Sequence, residues 1–301
     1  MDSLSQQEQR GLEDAINDAL CSTQYYVSNL CLYLSTETGC RKISNFIISP
    51  QEYIKKDHGK KEEAFVRVCG YSAGRKYREV LLPLKEFESM SWISSKWGFS
   101  AVVEVIHNAP SHMRYVAQVL GSEFAKDSLI YTYMGWKNID GAWVYLYSNG
   151  AIGQENIAVE PNGNITGYTF PDSLCDYREA VEASYALKEA APYDVSIPLL
   201  ALAYLCPLNE FLKQAKYEPA FITMLVGPTG SMKSTLAALV LNHFGEFSSK
   251  SLPGSFKDTL YALEVKGFAL KDCLNVIDDY YPATQRGDYA RMAAQRVIPP
   301  C

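Results

Sequence analysis

The pattern of apolar and polar residues predicts one helix at the start of the chain and a series of short strands after it. Ser5 and Glu8 form a Ser-x-x-Glu capping box, and apolar residues then recur at helical spacing. From residue 24 onward, short apolar segments alternate with turn residues, which is typical of strands. The predicted strands are residues 24–27, 31–35, 41–48, 63–71, 77–82 and 99–105, with a hairpin turn at 72–76.

The middle of the chain predicts another helix and a second hairpin. The helix is expected to begin near Pro110 and to end at Gly121. Its apolar face consists of Met113, Val116, Ala117 and Leu120. The pair Asp140-Gly141 predicts a tight turn between strands at residues 128–134 and 142–147. Aromatic residues are frequent here, and core or cross-strand packing is favoured over stacking on nucleic-acid bases. They are Tyr131, Tyr133, Trp136, Trp143, Tyr145 and Tyr147.

Two helices are predicted next, and neither is expected to cross a membrane. Residues 176–190 are rich in alanine, and Pro192 separates them from an apolar helix at residues 195–206. The longest apolar run, residues 197–208, is too short for a bilayer, so we expect a buried helix. Residues 1–13 lack the apolar segment of a secretory signal. The sequence therefore predicts a soluble cytoplasmic protein.

The segment after the apolar run at residues 221–226 carries the strongest chemical signal. A strand, a glycine-rich loop and a helix that opens with Lys-Ser-Thr are typical of a Walker A phosphate-binding loop. The residues expected to hold ATP are Gly227, Pro228, Thr229, Gly230, Ser231, Met232, Lys233, Ser234 and Thr235. Lys233 would contact the β- and γ-phosphates, and the Ser234 hydroxyl would bind Mg²⁺. Met232 replaces the last glycine of the motif, so altered affinity is expected.

A pair of carboxylates supplies the partner that a phosphate-binding loop needs. Asp278 and Asp279 follow an apolar segment at residues 273–277, about 45 residues after Lys233. In this Walker B pattern Asp278 would hold Mg²⁺, while Asp279 would orient the attacking water. Asp279 and Lys233 are thus the predicted catalytic residues, at the carboxyl edge of a parallel sheet.

The elements between the two motifs complete the predicted fold. A short strand at residues 250–252 and a helix at residues 258–269, capped by Asp258, are expected there. The chain as a whole is predicted to be α/β, with a strand-rich α+β accessory domain before an incomplete P-loop sheet of parallel strands and flanking helices. The predicted division is an N-terminal helix at 1–24, an accessory domain with a helical linker at 25–210, and a P-loop NTPase domain at 211–301.

The last predicted domain is shorter than a usual domain. We therefore expect the sequence to be the N-terminal part of a longer polypeptide, and this piece alone to be inactive as an enzyme. Three arginines, Arg286, Arg291 and Arg296, follow the acidic pair. They are expected to lie on a solvated surface rather than to act as an arginine finger.

Charge and cysteine content narrow the function classes. A net charge of −6 argues against a protein that coats nucleic acid over its whole surface. Residues 41–90 nevertheless hold 11 Lys/Arg against 7 Asp/Glu. Two interpretations of this basic excess stay open, a local contact with DNA and a solvated loop with a hairpin tip. The basic residues concerned are Lys55, Lys56, Lys60, Lys61, Arg75, Lys76 and Arg78. The 8 cysteines show no metal-ligand spacing with the 4 histidines, which predicts reduced thiols and no structural metal.

Three segments of the second half resemble a known family. Residues 227–235, 256–264 and 276–282 are similar to the P-loop part of domain of unknown function 927, and the strand-rich leading region is similar more loosely. Members of that family look like ATPase and helicase-like components of phages, plasmids and other mobile elements. The resemblance implies a RecA/AAA+-like arrangement in which Asp279 replaces a more usual glutamate, so slow turnover is expected.

The resemblance leads to a first functional hypothesis and leaves others open. It implies an ATP-hydrolysing, helicase-like motor in the DNA replication of a mobile element. ATP and Mg²⁺ would be its cofactors, DNA a candidate partner, and a homo-oligomeric ring its full-length form. The alternative is a nucleotide-dependent switch or scaffold with little or no hydrolysis, which Met232 and Asp279 both favour. A small-molecule phosphotransferase ranks last, because no lid arginine or acceptor pocket is recognisable.

Overall fold

The chain forms a mixed α/β structure whose first part is rich in strands, as predicted. The computed structural model describes residues 5–163, 165, 167–170 and 176–280. It divides into two compact units, Met1–Ile130 and Tyr131–Cys301. This division differs from the predicted one, which places a boundary near residue 210.

The first unit begins with the predicted helix. Helix α1 (Gln6–Leu20) is capped by Ser5, whose hydroxyl accepts from the Glu8 amide while the Glu8 carboxylate accepts from the Ser5 amide at 2.9 Å. The capping box satisfies amides that have no partner inside the helix. Ile16 and Leu20 are buried on the inner face of α1.

Two groups of strands follow in the first unit. The strands are β1 (Tyr25–Ser28), β2 (Cys31–Thr36), β3 (Gly39–Ser44), β4 (Ile47–Asp57), β5 (Glu62–Ser72) and β6 (Arg75–Pro83). Strands β1, β2 and β3 form an antiparallel meander. The β5–β6 hairpin is confirmed, with Ser72 opposite Arg75. Strand β4 pairs antiparallel with β5.

Helices cover the sheets of the first unit. They are α2 (Leu84–Ser89), α3 (Trp92–Trp97) and α4 (Ala109–Phe124), and the last strand is β7 (Lys126–Tyr131). In this unit the larger sheet has the order β7-β4-β5-β6. The predicted apolar face of α4 is buried. Gly121 does not end the helix as predicted, since α4 runs on to Phe124 and Gly121 lies inside it, against Pro50.

Two strand predictions in the first unit are wrong. Residues 41–48 do not form one strand, because the chain bends between β3 and β4, where the Ser44 hydroxyl donates to the Phe46 carbonyl at 2.6 Å. Residues 99–105 form a 3-10 turn (Gly98–Ser100) and then a single bridge between Val103 and Ser44. The Asn45 side chain donates to the Ser100 carbonyl and accepts from the Val102 amide, so side-chain bonds take part of the place of a ladder here.

The basic residues of the first unit do not gather on one surface. Lys55 lies opposite Ala64 on β5, whereas Lys76 lies opposite Tyr71. Seven residues of β5 separate these positions, a distance of about 20 Å along the strand. Lys61 also pairs with Glu63 at 2.6 Å. The separation between the basic residues near Lys55 and those near Lys76 therefore favours a solvated loop and a hairpin tip over one continuous DNA-binding patch.

The second unit starts with a small sheet. Its strands are β8 (Gly135–Ile139), β9 (Ala142–Tyr147) and β10 (Gly150–Ile152), in the order β10-β9-β8, and the short strand β11 (Ala158–Val159) follows along the chain without joining this sheet. The turn at Asp140-Gly141 is confirmed, with positive φ at both residues. It joins β9 to β8, which the prediction missed, and not to the strand predicted at residues 128–134. Trp136 and Tyr145 are cross-strand partners with ring centroids 5.2 Å apart, as expected of structural aromatics.

Helices and a second, short sheet complete the second unit. The helices are α5 (Tyr177–Ala186), α6 (Tyr193–Leu205), α7 (Asn209–Gln214), α8 (Lys233–Leu241) and α9 (Leu260–Ala269), and the strands are β12 (Gly254–Ser255) and β13 (Ile277–Asp278). One apolar cluster joins residues from both sides of the predicted boundary near residue 210. Its buried members include Met134, Tyr168, Leu199, Val240 and Phe244.

The apolar helix α6 is only half buried, contrary to the prediction. Leu199, Leu200 and Ala203 face the core, whereas Ile197 and Tyr204 are exposed. The helical run is also longer than predicted, because a 3-10 turn links α6 to α7. The stretch Tyr193–Gln214 has 22 residues and is apolar enough to cross a membrane by length and composition only. A core helix of a soluble protein passes the same test.

A buried carboxylate links the small sheet to the end of α9. Asp272 accepts a hydrogen bond from the Trp136 amide at 3.0 Å, and the Lys271 ammonium lies 3.7 Å from the same oxygen. Lys271 is shared with Glu210, which it meets at 2.9 Å. Burial raises the pKa of Asp272, because the charged form loses hydration that these partners only partly replace.

We expect Asp272→Asn to stabilise the second unit near neutral pH by about 1 kcal/mol. The raised pKa means that the folded state binds a proton more tightly than the unfolded chain, so the aspartate costs stability above its folded pKa. This cost disappears as the pH falls through that pKa towards about 3.9, the unfolded value. Urea unfolding of wild type and variant at several pH values should show a difference in stability that shrinks as the pH falls. Parallel profiles would contradict the expectation.

Candidate functional site

The segment before the predicted loop is not a strand in the described part of the chain. Residues 221–226 have no regular secondary structure and belong to no ladder. Ile222 and Val226 are 79% and 85% exposed. A strand needs a neighbour to satisfy its amides and carbonyls, and the sequence pattern cannot show whether one is present. Leu225 alone packs against the apolar cluster of the second unit.

The predicted phosphate-binding loop forms a tight turn ahead of α8. The Ser231 amide and hydroxyl both donate to the Pro228 carbonyl, at 3.3 and 2.8 Å. Gly230 has a φ of 85°, and Met232 has a φ of 59°. When left-handed and right-handed backbone conformations alternate in this way, successive amides point to the same side, which is the geometry of an anion-binding nest.

Met232 occupies the position just before α8 without filling the loop. Its side chain is 68% exposed. The left-handed backbone of this residue explains why the motif prefers glycine, since a side chain there costs about 1–2 kcal/mol. Within the described residues, no side chain caps the first turn of α8. The first amides of this helix therefore remain available to an anion.

Lys233 is the first residue of α8, and its side chain folds back over the loop. Its ammonium donates to the carbonyls of Gly227 and Pro228, both at 2.9 Å. The hydroxyl of Ser231 lies 3.4 Å from the same nitrogen. The ammonium is thus held inside the curve of the loop, and these exposed bonds can be exchanged for bonds to a phosphate.

The next residue joins the two predicted motifs. The Ser234 hydroxyl donates to Asp278 Oδ2 at 2.9 Å, across 44 positions of sequence. A hydroxyl and a carboxylate side by side form a hard oxygen donor set, which is what Mg²⁺ binds. The residues present therefore fit the magnesium ion that the motifs imply. Among the described residues, no cluster of three or more His, Cys, Asp and Glu forms another metal site.

A parallel strand pair positions the carboxylate. Strand β13 pairs with β12, with Ile277 opposite Gly254 and Asp278 opposite Ser255. The prediction of a strand at residues 250–252 is wrong by a few residues, because the loop there closes through Ser248 and Ser251, whose hydroxyls bond each other at 2.9 Å. The Phe256 amide extends the pair by donating to the Asp278 carbonyl at 2.9 Å.

The second carboxylate points to another partner. Asp279 Oδ2 accepts from the Lys257 ammonium at 2.8 Å. The backbone of Asp279 is left-handed, with a φ of 63°, a conformation that aspartate tolerates better than most residues. Phe256 and Tyr280, the neighbours of these two charged residues, pack edge to face at 5.0 Å. Lys257 was not predicted as a site residue, although it lies in the segment between the two motifs.

The cap of α9 was assigned to the wrong residue. The Thr259 hydroxyl accepts from the Ala262 amide at 3.2 Å, so Thr259 and not Asp258 is the N-cap. Asp258 instead binds the Lys266 ammonium at 2.9 Å and accepts from the Ser255 amide at 3.2 Å. Both residues are good caps in sequence, and the ion pair with Lys266 decides between them.

The structure thus brings Ser234 and Asp278 into contact and leaves Lys233 and Asp279 with local partners. Arg286, Arg291 and Arg296 lie outside the described residues. Neither a family model nor a curated protein matches the chain. The geometry of these residues therefore carries the functional argument.

Proposed function

We propose that the chain binds ATP with Mg²⁺ at residues 227–235 and Asp278, and that it is a P-loop ATPase. The observation that carries the proposal is the 2.9 Å hydrogen bond between the Ser234 hydroxyl and Asp278. It joins a glycine-rich loop to the end of a strand from a distant part of the sequence. The parallel pairing of β12 and β13 supports a RecA/AAA+-like sheet, of which this pair would be one part.

Each residue has a role that its surroundings support. Loop amides and the start of α8 would bind phosphate oxygens, and the Lys233 ammonium would exchange its loop carbonyls for the β- and γ-phosphates. Ser234 and Asp278 would hold Mg²⁺, which neutralises phosphate charge when bound. Asp279 would accept a hydrogen bond from the attacking water once its carboxylate is available.

The proposal that ATP hydrolysis drives a motor rests on the family resemblance. Similarity to domain of unknown function 927 supports a helicase-like motor that acts on DNA in the replication of a mobile element. This proposal predicts that single-stranded DNA stimulates phosphate release. The two separated basic groups of the first unit offer no continuous path for DNA, so we do not assign the DNA contact to them.

Asp278→Asn tests the metal site directly. The amide keeps the shape and still accepts from Ser234, but it lacks the charge that binds Mg²⁺. We expect the affinity for Mg²⁺-ATP to fall by about 10- to 100-fold, while the weaker binding of ATP in EDTA stays unchanged. Titration with a fluorescent ATP analogue measures both. Equal affinities of variant and wild type with Mg²⁺ would remove Asp278 from the site.

A switch or scaffold that binds ATP without turnover is the second candidate function. The contact of Asp279 with Lys257 favours it, because the carboxylate assigned to the water is already engaged. Stoichiometric ATP binding by the full-length protein with no phosphate release, with and without single-stranded DNA, would select this function. Phosphate release that requires Lys233 would select the ATPase.

A further inference from the structure

Lys257 lies beside the acidic pair, and no motif accounts for it. We infer that Lys257 senses the γ-phosphate: it holds Asp279 in a resting state, and bound ATP takes over its ammonium. The inference rests on the proposed function, because it requires a triphosphate in the loop at residues 227–235. It adds a residue to the site and a means by which the site would distinguish ATP from ADP.

The backbone places Lys257 at the same edge as the candidate metal ligands. Strands β12 and β13 are parallel and in register, with Ser255 opposite Asp278. Residues that follow the two strands therefore leave the sheet on the same side. Lys257 follows β12 by two positions and Asp279 follows β13 directly, and their side chains meet at 2.8 Å.

Hydrogen bonds and an ion pair hold the backbone of the turn that carries Lys257. The Lys257 amide donates to the Ser255 hydroxyl at 3.1 Å, which closes the turn after β12. Asp258 is fixed by the Lys266 ammonium, which also donates to the Pro253 carbonyl at 2.9 Å. Both members of the Asp258–Lys266 pair are largely buried. The backbone of Lys257 is thus held in place while its side chain can change partners.

The contact between Lys257 and Asp279 is suited to exchange. The side chains are 63% and 55% exposed, and ion pairs at such positions contribute little to stability. A γ-phosphate carries more charge than a carboxylate and presents three acceptor oxygens, so it can compete for the ammonium. The pair is therefore strong enough to orient Asp279 and weak enough to open.

The exchange couples nucleotide identity to the catalytic carboxylate. When Lys257 moves its hydrogen bond to a γ-phosphate oxygen, Asp279 Oδ2 becomes free to accept one from water. ADP has no γ-phosphate, so the Lys257–Asp279 contact would persist with ADP bound. No covalent bond is made or broken in this step.

Substitution of Lys257 tests the inference in the 301-residue chain. Fluorescent analogues of ATP and ADP are titrated in the presence of Mg²⁺. We expect Lys257→Met to weaken ATP binding by about tenfold, the loss of one charge-assisted hydrogen bond, and to leave ADP binding unchanged. Lys250→Met is the matched control, an exposed lysine in the turn before β12, and it should change neither affinity.

A second variant separates the resting contact from a general effect of charge. Asp279→Asn should release Lys257 and so raise the affinity for ATP by about threefold. The same substitution in the Lys257→Met background should leave ATP affinity unchanged. A gain that persists without the lysine would show that Asp279 only repels the phosphates, and it would overturn the inference.

The outcomes distinguish the inference from the proposed function. If the wild type binds ATP and Lys257→Met keeps the wild-type preference for ATP over ADP, the inference is wrong and the P-loop ATPase stands. If the wild type binds neither nucleotide, both are wrong. A lost ATP preference, together with an Asp279→Asn effect that depends on Lys257, supports the resting contact.

Discussion

Lys233→Ala is expected to lower the affinity for Mg²⁺-ATP by about 100-fold, because charge-assisted bonds to two phosphates are lost together. Phosphate release by the full-length protein should fall below detection. In the structure the Lys233 ammonium contacts only exposed groups of its own loop, so folding should change by less than about 1 kcal/mol. Calorimetric titration gives the affinity, and a thermal melt followed by circular dichroism gives the stability.

The control for this substitution is Lys250, an exposed lysine in the same unit. Lys250→Ala removes the same charge and should leave ATP binding within about twofold, since long-range effects of a surface charge are screened by salt. If Lys233→Ala binds ATP as tightly as Lys250→Ala does, the nucleotide is held elsewhere. The loop would then be an ordinary connection between an extended segment and a helix.

Local signals in the sequence predicted the elements whose partners lie nearby in the chain. The capping box at Ser5 and Glu8 satisfies amides within one turn, so it needs nothing from the rest of the fold. The hairpin of β5 and β6 is likewise set by a short turn between two alternating segments. The contact of Ser234 with Asp278 was also anticipated, because the two motifs that contain them have a known relation.

Predictions failed where a distant or competing partner decides. An apolar run at residues 221–226 has the composition of a core strand, but pairing depends on a neighbour that composition cannot reveal. Asp258 and Thr259 are both suitable caps, and only the position of Lys266 shows which one is used. Lys257 belongs to no motif, and its relation to Asp279 exists only through the register of β12 and β13.

The candidate site depends on how α9 is held, because a connection of only residues 270–276 joins that helix to β13. The Met134 amide donates to the Ala269 carbonyl at 2.8 Å, and the Trp136 amide donates to Asp272 at 3.0 Å. The Lys271 ammonium donates a hydrogen bond to the Trp136 carbonyl at 2.8 Å. The start of β8 thus fixes the end of α9, and through it the strand that presents Asp278.

Gly135→Ala is expected to destabilise the second unit by about 3–5 kcal/mol, the largest stability effect we predict. Gly135 has a φ of 100°, which a side chain rarely adopts. A Cβ there would lie 2.7 Å from Asp272 Oδ2 and closer still to the Lys271 carbonyl. These atoms belong to the backbone and to a buried side chain, so the strand must move away. Urea unfolding followed by tryptophan fluorescence measures the loss.

Gly141→Ala separates the steric effect at Gly135 from the cost of the backbone conformation. Gly141 lies in the β8–β9 turn with a φ of 90°, and a Cβ there would meet no atom within 4 Å. Its substitution should therefore cost only the conformational term, about 1 kcal/mol. If both variants lose the same stability, the approach of β8 to the end of α9 is not close in solution. If only Gly135→Ala also loses ATP binding, the contact between β8 and α9 positions Asp278.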